Sequence, residues 1–95
     1  MSVIKVPLFS AGQIVATPGV LEAFEKNAQE PRAFLRRHLT GDWGDLCKED
    51  AQENTSAVKN EYRILSAYHL HDETKIWVIT EYDRSVTTFL LPSEY

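Results

Sequence analysis

Cysteine is nearly absent from this chain: Cys47 stands alone among 95 residues. A single thiol forms no internal disulfide, which fits a reducing compartment and sets the expectation of a cytoplasmic protein. The sequence also lacks a CxxC pair, an HExxH and any comparable ligand spacing, so no metal site is expected. Glycine is scarce, with 4 residues scattered along the chain. They build no phosphate-cradling loop, and no cofactor is expected. No apolar run approaches the roughly 18 residues that a membrane span needs, so no membrane partner is expected. The N-terminal stretch MSVIKVPLFSAGQIVATPG has no continuous hydrophobic segment and no small-residue cleavage site, which argues against a secretory signal.

Positive charge is in short supply too. Ten Lys and Arg face 14 Asp and Glu, for a net charge of −4. Wholesale binding to nucleic acid rests on many cationic contacts, and this balance argues against it. The distribution is uneven, however. Residues 31 to 41 carry Arg32, Arg36 and Arg37 and no acid, a local cationic edge on an acidic chain.

What is present suits one domain with a modest core, residues 1–95, with residues 1–12 as an irregular arm punctuated by Pro7 and Gly12. That arm could add an edge strand or lie loosely on the core, and Gln13 to Ala16 is a short apolar piece that could be a strand. Thr17-Pro18 is a helix start: the hydroxyl caps free N–H groups, and proline suits the first helical position. Val20, Leu21, Phe24 and Ala28 then share one side, opposite Glu22, Glu25 and Lys26. Glu30-Pro31 marks a boundary, because the residue before proline avoids helical angles. Pro31 opens a second helix with Phe34, Leu35, His38 and Leu39 on one face, and Gly41 is placed to end it. A third helix is expected over roughly residues 47 to 60. Its thin stripe of Cys47, Ala51, Thr55 and Val58 buries little area.

The last third changes period. Tyr62–Leu70, Lys75–Tyr82 and Val86–Leu91 read as strands rich in β-branched and aromatic residues, joined by short turns. The expected architecture is α+β, with about three helices on one face of a three-stranded antiparallel meander. The other face is left wetter, or covered by the N-terminal arm or a second subunit.

Three clusters could carry chemistry. His38 lies within an apolar stripe near a helix C-terminus, where the helix dipole favours its protonated form. With Asp42 or Asp45 as partner it could act as a general acid or base, Arg36 or Arg37 meeting a phosphate. Asp42-Trp43-Gly44-Asp45 closes a helix junction with turn-forming residues and an indole peg. Arg36, Arg37, Asp42, Trp43 and Asp45 together form a candidate binding set, with Trp43 as a stacking platform. Asp83-Arg84-Ser85 is a turn in which Arg84 is solvated or paired to Asp83. Brought beside His38, Arg84 and a hydroxyl of Thr87 or Thr88 could support metal-free RNA cleavage. Asn54 sits beside a helix stripe, within reach of the 41–46 turn. Tyr62, Tyr68, Trp77 and Tyr82 could share one aromatic face.

The blocks TPG, HLTGDWGDL, ILSAYHL and IWVITEYDRSVTTFLLPSEY give the chain a resemblance over residues 14 to 95. It resembles short bacterial proteins borne on plasmids and other mobile elements, some of them labelled as related to type I restriction–modification systems. At Cys47 those proteins lead one to expect an acidic capping residue. The resemblance implies a mobile-element accessory protein and transfers no catalytic residue. A methylation subunit would need a cofactor-binding α/β domain, for which this chain has neither the length nor the Gly-rich loop. Two functions follow as expectations: a non-enzymatic domain that binds a protein partner, with a homodimer joined through the sheet, or a small metal-independent RNase using His38, Arg84 and Thr87 or Thr88.

Overall fold

A computed structural model describes residues 6–95, and the first part of the expected arm lies outside the described residues. Among the described residues the order is β1 (Gln13–Ala16), α1 (Pro18–Lys26), α2 (Pro31–Leu39), α3 (Lys48–Asn60), β2 (Ile64–His69), β3 (Lys75–Thr80), β4 (Val86–Leu90) and a C-terminal 3-10 turn, Pro92–Glu94. The class is α+β. The sheet is four-stranded and mixed, in the order β1-β4-β3-β2, rather than a three-stranded meander. The antiparallel pairs β2–β3 and β3–β4 supply the expected hairpins. β1 joins beside β4 in parallel, Ile14 opposite Thr87 and Ala16 opposite Phe89. Proximity in sequence cannot signal that pairing, because the partners are more than seventy residues apart.

Helix boundaries follow local chemistry. The Thr17 hydroxyl accepts from the Val20 amide at 3.4 Å. A residue from the far end of the chain completes the cap: Glu94 accepts from the Gly19 amide at 3.1 Å and from the Thr17 hydroxyl. These hydrogen bonds, that from Thr17 first, hold the Glu94 carboxyl below its ordinary range. The last residues are thereby tied to the start of α1. Glu30-Pro31 opens α2, and Gly41, at φ +88, ends it. In α1, Val20 and Phe24 are buried, whereas Leu21 is 51% exposed and Ala28 sits exposed in the left-handed region. The inward stripe of α1 is therefore narrower than the spacing of apolar residues predicts.

The inner face of the sheet carries Ile64, Ser66, Tyr68, Ile76, Val78, Thr80, Thr87 and Phe89, brought into line by the strand registers. Val20, Phe24 and Phe34 pack on its apolar members. Each such buried side chain contributes about 2 kcal/mol from surface withdrawn from water. A smaller cluster of Trp43, Ala57 and Ile64, with Phe9 and Leu46 against it, joins α3 to the β2 side. The outer face carries Leu65, Trp77, Ile79, Thr88 and Leu90. It is covered in part by the C-terminal turn: Tyr95 meets Trp77 edge to face at 5.7 Å, and Arg63 donates to the Tyr95 hydroxyl at 2.6 Å. The described part of the arm, residues 6–12, runs on the helix side, where Phe9 packs on His38 and Trp43. The expected aromatic face does not form, since Tyr68 is buried on the inner face and Trp77 lies on the outer one.

Candidate functional site

The structure brings His38 and Thr87 together through residues that sequence reasoning missed. His38 is fully buried. Its Nδ1 lies 2.6 Å from the Ser66 hydroxyl and its Nε2 lies 2.9 Å from the Thr80 hydroxyl. Thr80 and Thr87 share a hydrogen bond at 2.7 Å, and the Thr87 hydroxyl donates to the Ala11 carbonyl at 2.7 Å. That last bond fixes the direction of the whole chain. With its proton spent on Ala11, Thr87 must accept from Thr80; Thr80 in turn accepts from His38 Nε2–H, which leaves Nδ1 to accept from Ser66. The ring therefore carries a proton on Nε2, and burial keeps it neutral, with Nδ1 as acceptor. Burial lowers its pKa to about 4, with the positive charge of Arg84 adding to the effect. This reverses the expected dipole-favoured protonated form: desolvation outweighs the helix terminus.

Ser66 and Thr80 were open to detection. Each is a small hydroxyl at an inward position of an alternating strand, where an apolar side chain is the usual occupant. The backbone reason for the arrangement is equally plain. α2 lays His38 across the middle of the sheet, and the register sets Ser66, Thr80 and Thr87 on consecutive strands beneath it.

Arg84 stays close but engages backbone. Its guanidinium donates to the carbonyls of Tyr62 at 2.7 Å, Ala57 at 2.9 Å, Glu81 at 3.1 Å and Tyr82 at 3.2 Å. It is half-buried and bound to backbone rather than freely solvated or paired to Asp83; Asp83 instead accepts from the Ser85 amide and hydroxyl, which lowers its pKa. Arg84 sits at φ +59, and this left-handed turn aims the side chain inward, where it ties the end of α3 to the β3–β4 turn. Thr88 faces the opposite side of the sheet from Thr87 and is half-buried.

The 36–46 stretch is a junction. Trp43 is buried, its ring 6.0 Å from that of His38, and its indole N–H donates to Thr55 at 3.3 Å. Arg37 makes a forked pair with Asp42 at 2.7 and 3.3 Å and lies 4.5 Å over the Tyr68 ring. The Asp42 hydrogen bond raises the Arg37 pKa. Tyr68 donates to the Asp42 carbonyl at 2.7 Å, and burial pushes its hydroxyl up to about 12. Asp45 meets His69 at 3.3 Å, and Arg36 is exposed. Of the expected binding set, only Arg36, Arg37, Asp42 and Asp45 present surface; Trp43 is the peg of the junction.

The two edges of the sheet differ. Beyond β2, residues 43–45 run alongside: the Ala67 amide donates to the Trp43 carbonyl at 3.1 Å and the Asp45 amide to the Ala67 carbonyl at 2.7 Å. Gly44 permits this approach, since at φ +76 a Cβ there would stand 1.9 Å from the Ala67 oxygen. Asn54 then pairs its side-chain amide with both backbone groups of Leu65 rather than with the 41–46 turn. The β2 edge is closed. A shallow cleft of about 560 Å³ remains outside it, between α3 and Leu65, with Asp50, Glu53 and Arg63 on its rim.

The β1 edge is open. The Gln13 amide donates to Ser85 and the Thr17 amide to Phe89, both toward β4. By alternation the N–H and C=O of Ile14 and Ala16 point away from the sheet, and among the described residues nothing pairs with them. Ile14 is 44% and Val15 37% exposed.

The class defined by these features is an α+β domain with a mixed sheet, an interior polar chain and one bare strand edge. Among the described residues no helix is long and apolar enough to cross a membrane. In comparisons with protein families, curated proteins and solved structures, nothing matches this chain.

Proposed function

We propose that the chain is a non-enzymatic protein-binding module that engages its partner through the β1 edge. The observation that carries this reading is the contrast between the two edges. One is blocked by both backbone and side chain; the other offers N–H and C=O groups that no described residue pairs, beside exposed aliphatic side chains. An unprotected edge is a ready template for another strand. The reading accords with an accessory role on a mobile element, which the resemblance implies, and with the cytoplasmic setting expected from the lone thiol. RNA cleavage by His38, Arg84 and Thr87 or Thr88 draws less support. It needs an imidazole that reaches solvent, and both ring nitrogens of His38 are engaged in the interior.

The test is a photo-crosslinking residue placed at position 15 in cells. A discrete covalent protein adduct is expected there and none from a crosslinker at Glu73, an exposed turn residue. A chain that forms no adduct from position 15 contradicts the reading. An RNA-cleaving activity lost on His38→Gln would replace it with the nuclease.

A further inference from the structure

We infer that the occupant of the β1 edge is a second copy of this chain, its β1 paired antiparallel about a two-fold axis centred on Val15. The inference rests on the binding reading and names its partner. Three observations lead to it.

The hydrogen-bonding pattern is self-complementary. With Val15 opposite its own symmetry mate, Ile14 falls opposite the second copy's Ala16, and Ala16 opposite its Ile14. Those are the residues whose N–H and C=O point outward, so each pair exchanges both bonds, as antiparallel neighbours do. A shift of one residue would set outward-pointing groups against inward-pointing ones. The register also preserves the faces. Ile14 and Ala16 belong to the inner face with Thr87 and Phe89. Directly opposite residues share a face, so both copies present their helices on the same side of one eight-stranded sheet, twice the four strands of one copy.

Charge permits self-association here. A two-fold contact sets a segment against its own copy, so any net charge the segment carries opposes an equal charge of the same sign. Residues 6 to 21 hold no charged side chain, in a chain that is 25% charged. The acidic character of the molecule lies elsewhere, including the rim of the cleft beyond the opposite edge.

Among the described residues the large aliphatic side chains that are exposed cluster on the same part of the chain, whereas the exposed tyrosines lie elsewhere. Ile14 and Val15 are followed, after the turn into α1, by Leu21 at 51% exposed. Strand edges are ordinarily protected by charge, proline or covering segments; the interior of β1 has none of these among the described residues. The contact is nevertheless small. A four-residue strand pair falls short of the roughly 1,200 Å² that marks stable interfaces, so the dimer is weak.

The register supplies its own test, because residue 15 faces itself. Sedimentation velocity over a concentration series is expected to show a monomer–dimer equilibrium for the native chain. Val15→Lys and Val15→Glu, each on its own, place like charges in contact and weaken the dimer at least about tenfold. Mixing the two variants restores it as a heterodimer. Position 15 is more than a third exposed, so both variants are expected to fold, which circular dichroism checks. A native chain that stays monomeric up to about 1 mM, a dimer unaffected by either variant, or a mixture that fails to associate overturns the inference. If the native chain is monomeric but the crosslinker at position 15 still captures another protein, edge binding stands and the second copy is excluded. If the native chain forms neither a dimer nor an adduct, both proposals fall.

Discussion

The side-chain amide of Asn54 pairs with the backbone of Leu65 as a neighbouring strand would. Nδ2 donates to the Leu65 carbonyl at 2.7 Å, and Oδ1 accepts from the Leu65 amide at 3.2 Å. A helix residue thus completes the edge of a sheet. Asn54→Ala leaves both backbone groups without their partner in a partly buried place. The expected loss is about 2 kcal/mol of unfolding free energy, read from the urea midpoint with an unchanged slope. A loss below about 0.5 kcal/mol would mean that water replaces the amide without cost.

His38 makes stability depend on pH with a definite sign. Its pKa falls from an ordinary 6.5 to about 4 on folding. Between these values the unfolded state binds the proton and the folded state resists it. The stabilisation is full above about pH 6.5 and is lost as pH falls toward 4, by about 3 kcal/mol in all. The measurement is the difference between the native and His38→Gln stability curves over this range, which removes carboxylate titrations common to both. Parallel curves, or an NMR titration of His38 near 6.5, contradict the buried neutral ring.

Arg84 separates two contributions at one position. Arg84→Lys keeps the left-handed backbone but loses the planar fork that reaches the Ala57 and Tyr62 carbonyls together. A loss of about 2 kcal/mol is expected in chemical denaturation. Arg84→Gly relieves the φ of +59, worth about 1 kcal/mol, and loses the same hydrogen bonds, so it should fall less far than its missing side chain implies. Equal stability of Arg84→Lys and the native chain would show that the guanidinium contacts are dispensable.

Gly44 has no room for a methyl group. In Gly44→Ala the Cβ meets the Ala67 oxygen and the Tyr68 ring, and the left-handed backbone adds strain. Residues 43–45 must then leave the β2 edge. A loss of about 3 kcal/mol is expected in thermal or chemical unfolding, with faster amide exchange at Ala67. A variant as stable as the native chain would contradict the close backbone contact.

Much of this architecture is legible in the chain because it is locally written. Thr17-Pro18 and Glu30-Pro31 set two helix starts through capping and proline geometry, and alternation in residues 62–91 marked three strands. What escaped was nonlocal. The parallel seat of β1 beside β4 depends on chain ends meeting. Glu94 capping α1 joins residues 75 apart. Arg84 looked like a surface turn residue, and only its left-handed backbone sends it inward. His38 stands out for its chemistry, and its setting depends on Ser66 and Thr80, inward hydroxyls whose meeting with the ring is set by strand register and the seat of α2. Leu21 fits the helical stripe and still faces outward, because α1 seats on β4 through Val20 and Phe24.

The central claim is that one edge of the sheet is closed and the other is free to pair. Residue-resolved amide hydrogen exchange tests it most directly. In dilute solution the Leu65 and Ala67 amides, bonded to Asn54 and Trp43, should be protected like those of a central strand, while Ile14 and Ala16 exchange quickly. At high protein concentration Ile14 and Ala16 should gain protection and Leu65 should not change. Strong protection of Ile14 and Ala16 at every dilution, or fast exchange at Leu65 and Ala67, would contradict the account.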